Sequence, residues 1–141
     1  MKKILFSVLS VILVSCSSSI KPTGSKPLFE VLTQQSDGGA SIRFFEILSE
    51  SNEITMLQND ENLKDKILPN DIQTSNFVIL NMGEKASAGY KIGVETVVET
   101  DKNIIITLKE TIPEPNAMVL HVMTYPYCIV KINSKKEIII K

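Results

Sequence analysis

Ten residues, Tyr90–Glu99, decide the fold, and they read YKIGVETVVE. Apolar and polar side chains alternate along them. One predicted face carries Tyr90, Ile92, Val94, Thr96 and Val98. A period of two is typical of a strand that buries one face and exposes the other. The stretch therefore predicts a half-buried antiparallel strand.

Strand patterns continue towards the C-terminus. After the polar break Thr100–Asn103, the apolar run Ile104–Thr111 should fold back as the second strand of a hairpin. Pro113 and Pro115 then interrupt pairing, because proline has no backbone N–H. The same pattern predicts four more strands, at Asn76–Met82, Ala117–Thr124, Tyr127–Asn133 and Glu137–Lys141.

The segment before Asn76 predicts a hairpin followed by a short helix. Two apolar runs, Leu28–Thr33 and Ser41–Leu48, flank the turn Asp37-Gly38-Gly39, and glycine accepts the positive φ that hairpin loops need. The polar segment Ser49–Leu68 then carries apolar residues at helical spacing, with Ser51 as the predicted N-cap.

Length and pattern together set the fold class. The chain has 141 residues, and residues 28–141 are enough for one hydrophobic core but not for two domains. Many short strands without alternating long helices predict a mainly β fold. We expect an antiparallel β-sandwich or curled sheet with one short helical insertion, formed by residues 28–141 as a single domain.

The first residues are typical of a bacterial export signal. Lys2 and Lys3 precede the apolar run Ile4–Val14, which is too short to span a bilayer as an ordinary helix. Leu13-Val14-Ser15-Cys16 resembles the lipobox of bacterial lipoproteins, in which the cysteine takes a diacylglyceryl group and becomes the new N-terminus. We predict a signal peptide at residues 1–15, lipidation at Cys16 and a flexible tether over residues 16–27. The alternative is an apolar signal that holds this cysteine by coincidence.

Lipidation would anchor the mature protein in a membrane of the bacterial cell envelope through the acyl chains on Cys16. Two or three chains hold a protein stably where one exchanges, because each buried CH₂ contributes about 0.8 kcal/mol. The outer membrane is the expected one. The sequence leaves open whether the domain faces the periplasm or the cell surface.

Charge and composition argue against several other classes of protein. With 15 Lys and Arg against 16 Asp and Glu, the chain offers no basic field for nucleic acid. His121 is the only histidine, and Cys128 is the only cysteine besides Cys16, so no metal site and no disulfide framework are expected. Both residues are interpreted as structural members of strands. No catalytic constellation and no cofactor site is recognisable, so the sequence predicts a non-enzymatic protein.

The second half of the chain carries a series of short motifs built from strands and turns. They are Phe77-Val78-Ile79-Leu80, Gly83, Ser87-Ala88-Gly89-Tyr90-Lys91-Ile92, Pro113, Pro115 and Thr124-Tyr125-Pro126-Tyr127-Cys128-Ile129-Val130-Lys131. Together they resemble the PrcB C-terminal domain family over residues 76–134, with a looser similarity over Leu28–Leu57. Ala88 departs from the family pattern, which has glycine at that position of the turn.

The resemblance implies a β domain that works with a partner. The family is named for a lipoprotein subunit of a bacterial surface protease complex, in which the domain belongs to a subunit thought to assist or stabilise the protease. It implies that this chain binds an envelope protein, with a protease among the candidates, as an accessory or stabilising subunit.

Two loops form the candidate partner-binding surface. In the first, Gly89 needs a positive φ, and in the second, proline fixes φ between two tyrosines. The candidate residues are Ser87, Gly89, Tyr90, Tyr125, Pro126 and Tyr127. Tyr125 is the best candidate anchor, because Tyr90 and Tyr127 each begin a predicted strand.

Other functions stay open for the same loops. Ala88-Gly89-Tyr90 and Tyr125-Pro126-Tyr127 resemble the wedge loops of chagasin-type cysteine protease inhibitors, so a protease inhibitor is an alternative to an accessory subunit. A glycan or small-molecule binder is a third option. The absence of tryptophan disfavours it, since such binders present exposed aromatic platforms.

Overall fold

The computed structural model describes residues 24–141. Within them seven strands and two short helices follow one another as β1 (Phe29–Gln35), β2 (Phe44–Leu48), α1 (Ser51–Gln58), α2 (Asp71–Thr74), β3 (Asn76–Asn81), β4 (Lys91–Glu99), β5 (Asn103–Thr111), β6 (Tyr127–Ile132) and β7 (Glu137–Ile140). A four-stranded sheet has the order β1-β6-β3-β2, and a three-stranded sheet has the order β4-β5-β7. The predicted signal peptide, Cys16 and most of the predicted tether lie outside the described residues.

Strands β3 and β6 lie at the centre of the four-stranded sheet and are buried on both faces. They pair antiparallel, with Val78 opposite Val130, and both of these side chains point into the core between the two sheets. Phe77 and Ile129 point to the other face and join a second core under the helical insertion. Burial on both faces explains why these two strands read as nearly continuous apolar runs.

The two sheets pack face to face as a sandwich. The core between them is built from Val78, Leu80, Met82, Ile92, Ile104, Ile106, Cys128, Val130, Ile132 and Ile138. Strand makes up 41% of the described residues and helix 10%, which confirms the predicted mainly β class. One pair departs from the antiparallel pattern, because the chain changes sheets after β6 and β7 runs parallel to β5.

The hairpin predicted around Thr100–Asn103 is confirmed. Strands β4 and β5 pair antiparallel, with Glu99 opposite Ile104 next to the turn. The Thr100 hydroxyl oxygen accepts a hydrogen bond from the backbone N–H of Asn103 at 2.9 Å. A threonine side chain thus closes a turn that contains no glycine.

A β-bulge in β4 corrects the predicted face of that strand. The register between β4 and β5 shifts between Val94 and Thr96, and one extra residue moves every later side chain to the opposite face. Val97 consequently packs against the core, whereas Val98 is 52% exposed. The predicted inward face that begins at Tyr90 is therefore correct only as far as Val94.

The predicted hairpin between the first two strands is wrong. Strands β1 and β2 are the two edges of the four-stranded sheet, with β6 and β3 between them. The connection across the end of the sheet is held by Asn81, whose amide nitrogen donates to the carbonyls of Ala40 at 2.8 Å and Ile42 at 2.6 Å. Each of the two strands pairs with an apolar central strand, β1 with β6 and β2 with β3. This pairing, and not the glycines of the turn, decides where β1 and β2 lie.

The predicted strand Ala117–Thr124 does not form a ladder with another strand. Only Thr124 makes a β-bridge, with Lys85, and the residues before it lie on the surface. His121 is exposed and outside any strand, so its interpretation as a strand residue is wrong. Cys128 is buried within β6, as predicted.

The helical insertion covers the outer face of the four-stranded sheet. Helix α1 begins at Ser51, and Glu50 is its N-cap, so the predicted cap is off by one residue. Glu53 stabilises this end, because its carboxylate accepts the backbone N–H of Glu50 at 3.1 Å. The second core, between the insertion and the sheet, contains Leu32, Leu48, Ile54, Leu63, Ile67, Phe77 and Ile129.

A buried ion pair joins the insertion to β6. Lys131 Nζ lies 3.3 Å from Asp71 Oδ2 and 3.2 Å from Glu30 Oε2. The Asp71 side chain is 0% exposed, whereas that of Glu30 is 52% exposed. Asp71 Oδ2 also accepts the backbone N–H of Leu68 at 2.8 Å. Asp71 therefore holds both the ammonium group and the loop that precedes α2.

Replacing Asp71 by alanine should lower the free energy of unfolding by about 3 kcal/mol or more, because a buried ammonium group loses its inner partner. Urea denaturation measures the change. Glu30→Ala is the matched control, since it removes the exposed partner of the same ammonium and should cost less than about 1 kcal/mol. Equal losses in the two variants would contradict this role of Asp71.

Candidate binding surface

The predicted tether joins the domain at one end, which we call the tether end. Asn133 Nδ2 donates a hydrogen bond to the carbonyl of Pro27 at 2.6 Å. The β4–β5 turn lies at the same end, where Lys136 Nζ donates to the carbonyl of Thr100 at 2.8 Å. Pro27 is thus held beside the turns that follow β4 and β6.

The opposite end, which we call the loop end, collects the long connections. It consists of segments 36–43, 82–90 and 112–126. Strands β1 and β3 finish here and β6 begins here, since Gln35 and Asn81 both pair with Tyr127. The alternating strand directions therefore bring both predicted partner-binding loops to the end of the domain that lies away from the tether.

Backbone hydrogen bonds hold the two predicted loops side by side. Lys85 N donates to Thr124 O at 2.8 Å, and Thr124 N donates to Lys85 O at 2.9 Å. The Thr124 hydroxyl donates to the carbonyl of Ser87 at 2.9 Å. The third loop joins them, because Gly39 N donates to Tyr125 O at 2.8 Å. The loops form one connected surface.

Gly89 fits its position for reasons of both conformation and space. Its φ is +95°, in the region that favours glycine, as the sequence predicted. A Cβ atom there would lie 2.8 Å from Cγ of Pro113 and 3.4 Å from Cγ1 of Val119. The turn therefore packs closely against segment 112–126.

Tyr125 stands on the surface between the loops. Its hydroxyl donates a hydrogen bond to Glu84 Oε2 at 3.0 Å, and its backbone N–H donates to Asp37 Oδ1 at 3.2 Å. The hydrogen bond to the Glu84 carboxylate and the charge of that carboxylate raise the pKa of Tyr125, with a smaller contribution from Asp37. The phenol is thus held in its protonated form on the surface.

The other predicted residues of the second loop and the first tyrosine pack inward. Tyr90 packs against the core between the sheets, with Lys85 Nζ 5.6 Å from its ring centre. Tyr127 packs against the second core. Pro126, which directly precedes Tyr127, is fully buried. Tyr125 is the tyrosine whose ring is supported by a surface carboxylate rather than by a core.

Sequence reasoning missed the exposed apolar side chains of segment 112–126. They are Ile112, Met118, Leu120, Val122 and Met123. The alternation of Ala117–Thr124 predicted a half-buried strand, which would have placed alternate side chains of that stretch inside. The available signal was the pair Pro113 and Pro115, because prolines separate the segment from β5 and leave it outside the sheet.

The chemical groups that could act as nucleophile or base are not brought together. Cys128 is fully buried, and desolvation raises the pKa of its thiol to about 11. His121 is exposed, on the segment that lies outside the sheets. Across residues 24–141, no three His, Cys, Asp or Glu side chains are grouped to hold a metal ion. In the same part of the chain, no helix has the length and apolar character to cross a membrane.

Replacing Glu84 by glutamine should lower the pKa of Tyr125 towards the ordinary value of about 10, because the acceptor loses its negative charge. Ultraviolet titration of tyrosinate measures this pKa, and Tyr125→Phe identifies which transition belongs to Tyr125. Glu114→Gln is the control, since it removes a carboxylate from the same end that does not accept this hydrogen bond. An unchanged transition in Glu84→Gln would contradict the contact.

Comparison with known proteins finds a family similarity in the part of the chain that contains two of the three loops. Residues 76–133 match the family model described as PrcB C-terminal. No curated protein and no solved structure matches the chain at a significant level. The matched segment contains both central strands, β3 and β6, and the loops 82–90 and 112–126. The predicted resemblance to the PrcB C-terminal family is therefore confirmed over residues 76–133.

Proposed function

We propose that this protein is a bacterial lipoprotein, anchored in the cell envelope, that works as a non-enzymatic protein-binding module. The family suggests a domain associated with a protease complex. The partner in this proposal is an envelope protein, with a surface protease as the first candidate. The chain would be an accessory or stabilising subunit of that complex.

The observation that carries the proposal is the setting of Tyr125. Its side chain is partly exposed and packs on neither core, its hydroxyl is fixed by Glu84, and its backbone is fixed by Asp37 and Gly39. Tyrosine is enriched among the residues that dominate binding energy at interfaces. A side chain that is already held in place loses little conformational freedom on binding, so Tyr125 is well suited to anchor a partner.

The position of the proposed anchor supports the same surface. Cys16 precedes the described residues, which join the domain at the tether end. An acylated Cys16 would place the membrane on that side of the domain. The loop end would then project away from the bilayer, where a second envelope protein can reach Tyr125.

A protease inhibitor remains the second candidate, and one observation favours it. The bridge between Lys85 and Thr124 places the two wedge-like loops side by side. Against it, Tyr90 and Tyr127 pack on the two cores, which leaves Tyr125 as the tyrosine of the second loop that packs on neither core. Inhibition assays against a papain-like protease separate the two candidates, because an accessory subunit should leave this protease active.

Site-specific photo-crosslinking in native membranes tests the binding surface. A photo-reactive amino acid at Met123, which is 51% exposed beside Tyr125, should give one discrete protein adduct. The same group at Asp101, on the tether end, is the matched control and should not give it. Tyr125→Ala should weaken capture roughly thirtyfold, corresponding to about 2 kcal/mol, with little change in melting temperature. Tyr90→Ala should instead lower the melting temperature, because that ring packs on the core.

Two outcomes would contradict this surface. One is an adduct from Asp101 but not from Met123. The other is an adduct from Met123 that survives Tyr125→Ala at full yield. Either result would place partner binding elsewhere on the domain.

The anchor is tested by metabolic labelling with palmitate. Cys16→Ala should abolish the label and leave the precursor unprocessed, or release a soluble product where another peptidase cuts it. Cys128→Ala is the matched control, because it removes the buried cysteine and should keep the label. Equal label in Cys16→Ala and in the unaltered protein would refute the lipoprotein assignment.

A further inference from the structure

A groove lies between helix α1 and strands β2 and β3 on the outer face of the four-stranded sheet, and we call it the α1 groove. Its volume is about 170 Å³. The lining residues are Glu46, Leu48, Glu53, Met56, Leu57 and Ile79. None of them belongs to the segments of the loop end, so the α1 groove is separate from the candidate surface around Tyr125.

One wall of the α1 groove is the outer face of β2 and β3. Glu46 lies opposite Ile79 in the ladder between these strands. Alternate residues of a strand share a face, so Glu46 points to the same side as Leu48, which belongs to the second core. Phe44 shares this face and is 37% exposed. The outer face of the sheet therefore continues as a partly covered apolar surface beyond the helical insertion.

The other wall is one side of α1. Glu53, Met56 and Leu57 are three and four positions apart, and so they lie on the same side of the helix. Leu57 packs against the second core, whereas Met56 is 72% exposed. The lining of the α1 groove thus combines apolar side chains with two carboxylates, one in each wall.

The charge of this part of the chain is of one sign. Residues 44–63 include five Asp and Glu and no Lys or Arg. Neither Glu46 nor Glu53 forms an ion pair with any residue of 24–141. Lys135 approaches the start of α1, but its ammonium group donates to the carbonyl of Ser49 at 2.8 Å. A positively charged group of a ligand would be complementary to this lining.

We propose that the α1 groove binds a basic and apolar segment of another protein. That segment places one large apolar side chain in the groove and a Lys or Arg beside Glu46. A cavity of about 150 Å³ holds one benzene ring, so a groove of about 170 Å³ accommodates one leucine or phenylalanine side chain. Burial of that side chain supplies affinity, and the two carboxylates select against acidic segments, because like charges repel.

The two carboxylates differ in how well they serve a test. Glu53 also holds the start of α1, because its carboxylate accepts the backbone N–H groups of Ser49 and Glu50, both at 3.1 Å. Glu46 is exposed on a strand. Its substitution therefore changes the α1 groove without removing the helix cap, and the variants below are built on Glu46.

Fluorescence anisotropy on the full chain in detergent micelles tests the class of ligand. The probe is a labelled peptide with one leucine flanked on each side by two lysines, and empty micelles give the background. One control peptide has glutamates in place of the lysines, and the other has glycine in place of the leucine. Each control peptide should bind at least about tenfold more weakly than the probe.

Variants of the chain test the site. Glu46→Lys should weaken binding of the probe at least about tenfold, because it places a cation beside the lysines of the peptide. Glu61→Lys is the matched control, since it makes the same change of charge within residues 44–63 but outside the groove, and it should keep the affinity within about twofold. Tyr125→Ala should leave the affinity unchanged, so this test is independent of the surface at Tyr125.

A second pair of variants tests the apolar part of the groove. Met56→Ala should weaken binding about threefold, because it removes exposed apolar surface from the helix wall. Met118→Ala removes an exposed methionine at the loop end and should have no effect. Melting temperatures show that the variants fold.

Three results would overturn the proposal. One is equal binding of the three peptides to the unaltered chain. Another is tighter binding of the glutamate peptide, which would indicate a neutral or acidic occupant. The third is an equal affinity of Glu46→Lys and Glu61→Lys for the lysine probe.

Discussion

The pairing of β3 with β6 is the constraint on which the rest of the structure depends. Both strands are apolar on both faces, so the four-stranded sheet needs a cover on each side. Val78 and Val130 are covered by the three-stranded sheet, and Phe77 and Ile129 by the helical insertion. Full burial of such a side chain contributes about 1.5–3 kcal/mol, which is enough to override local turn signals elsewhere in the chain.

One polar contact adds specificity to this apolar arrangement. Lys131 is on the insertion face of β6, among apolar neighbours, and its charge is balanced by Asp71. The same Asp71 oxygen receives the backbone N–H of Leu68. Register in β6 is thereby coupled to the position of the insertion, because a shift of one residue would move Lys131 into the core between the sheets.

The central pair also ties the loop end to the core. Strand β6 starts immediately after Tyr125 and Pro126, and Met82 N, just after β3, donates to the Pro126 carbonyl at 2.9 Å. The surface loops are therefore continuous with the most deeply buried strands. The backbone of Tyr125 is therefore held by the adjoining buried strands as well as by its own hydrogen bonds.

Much of the fold follows from alternation in the sequence, and the errors have physical causes. The hairpin β4–β5 was predictable because apolar and polar residues alternate along β4. Strands β3 and β6 were predictable because they are nearly continuous apolar runs. The bulge at Glu95 was not, since a register shift depends on the partner strand. The edge positions of β1 and β2 were also not predictable, because Gly38 and Gly39 indicate a turn without indicating which strands it joins.

The candidate surface was predictable only in part, for a related reason. Gly89 and Pro126 have backbone requirements that are visible in the sequence, and so their loops could be placed. The segment Ala117–Thr124 has the same alternation as a half-buried strand, but both of its alternating sets are exposed, Met118 and Leu120 on one and His121 and Met123 on the other. A period of two indicates that a segment can form a strand with one buried face, but not that a neighbouring strand is available to pair with it. Here Pro113 and Pro115 separate the segment from β5, so its alternating pattern lies on the surface instead of in a sheet.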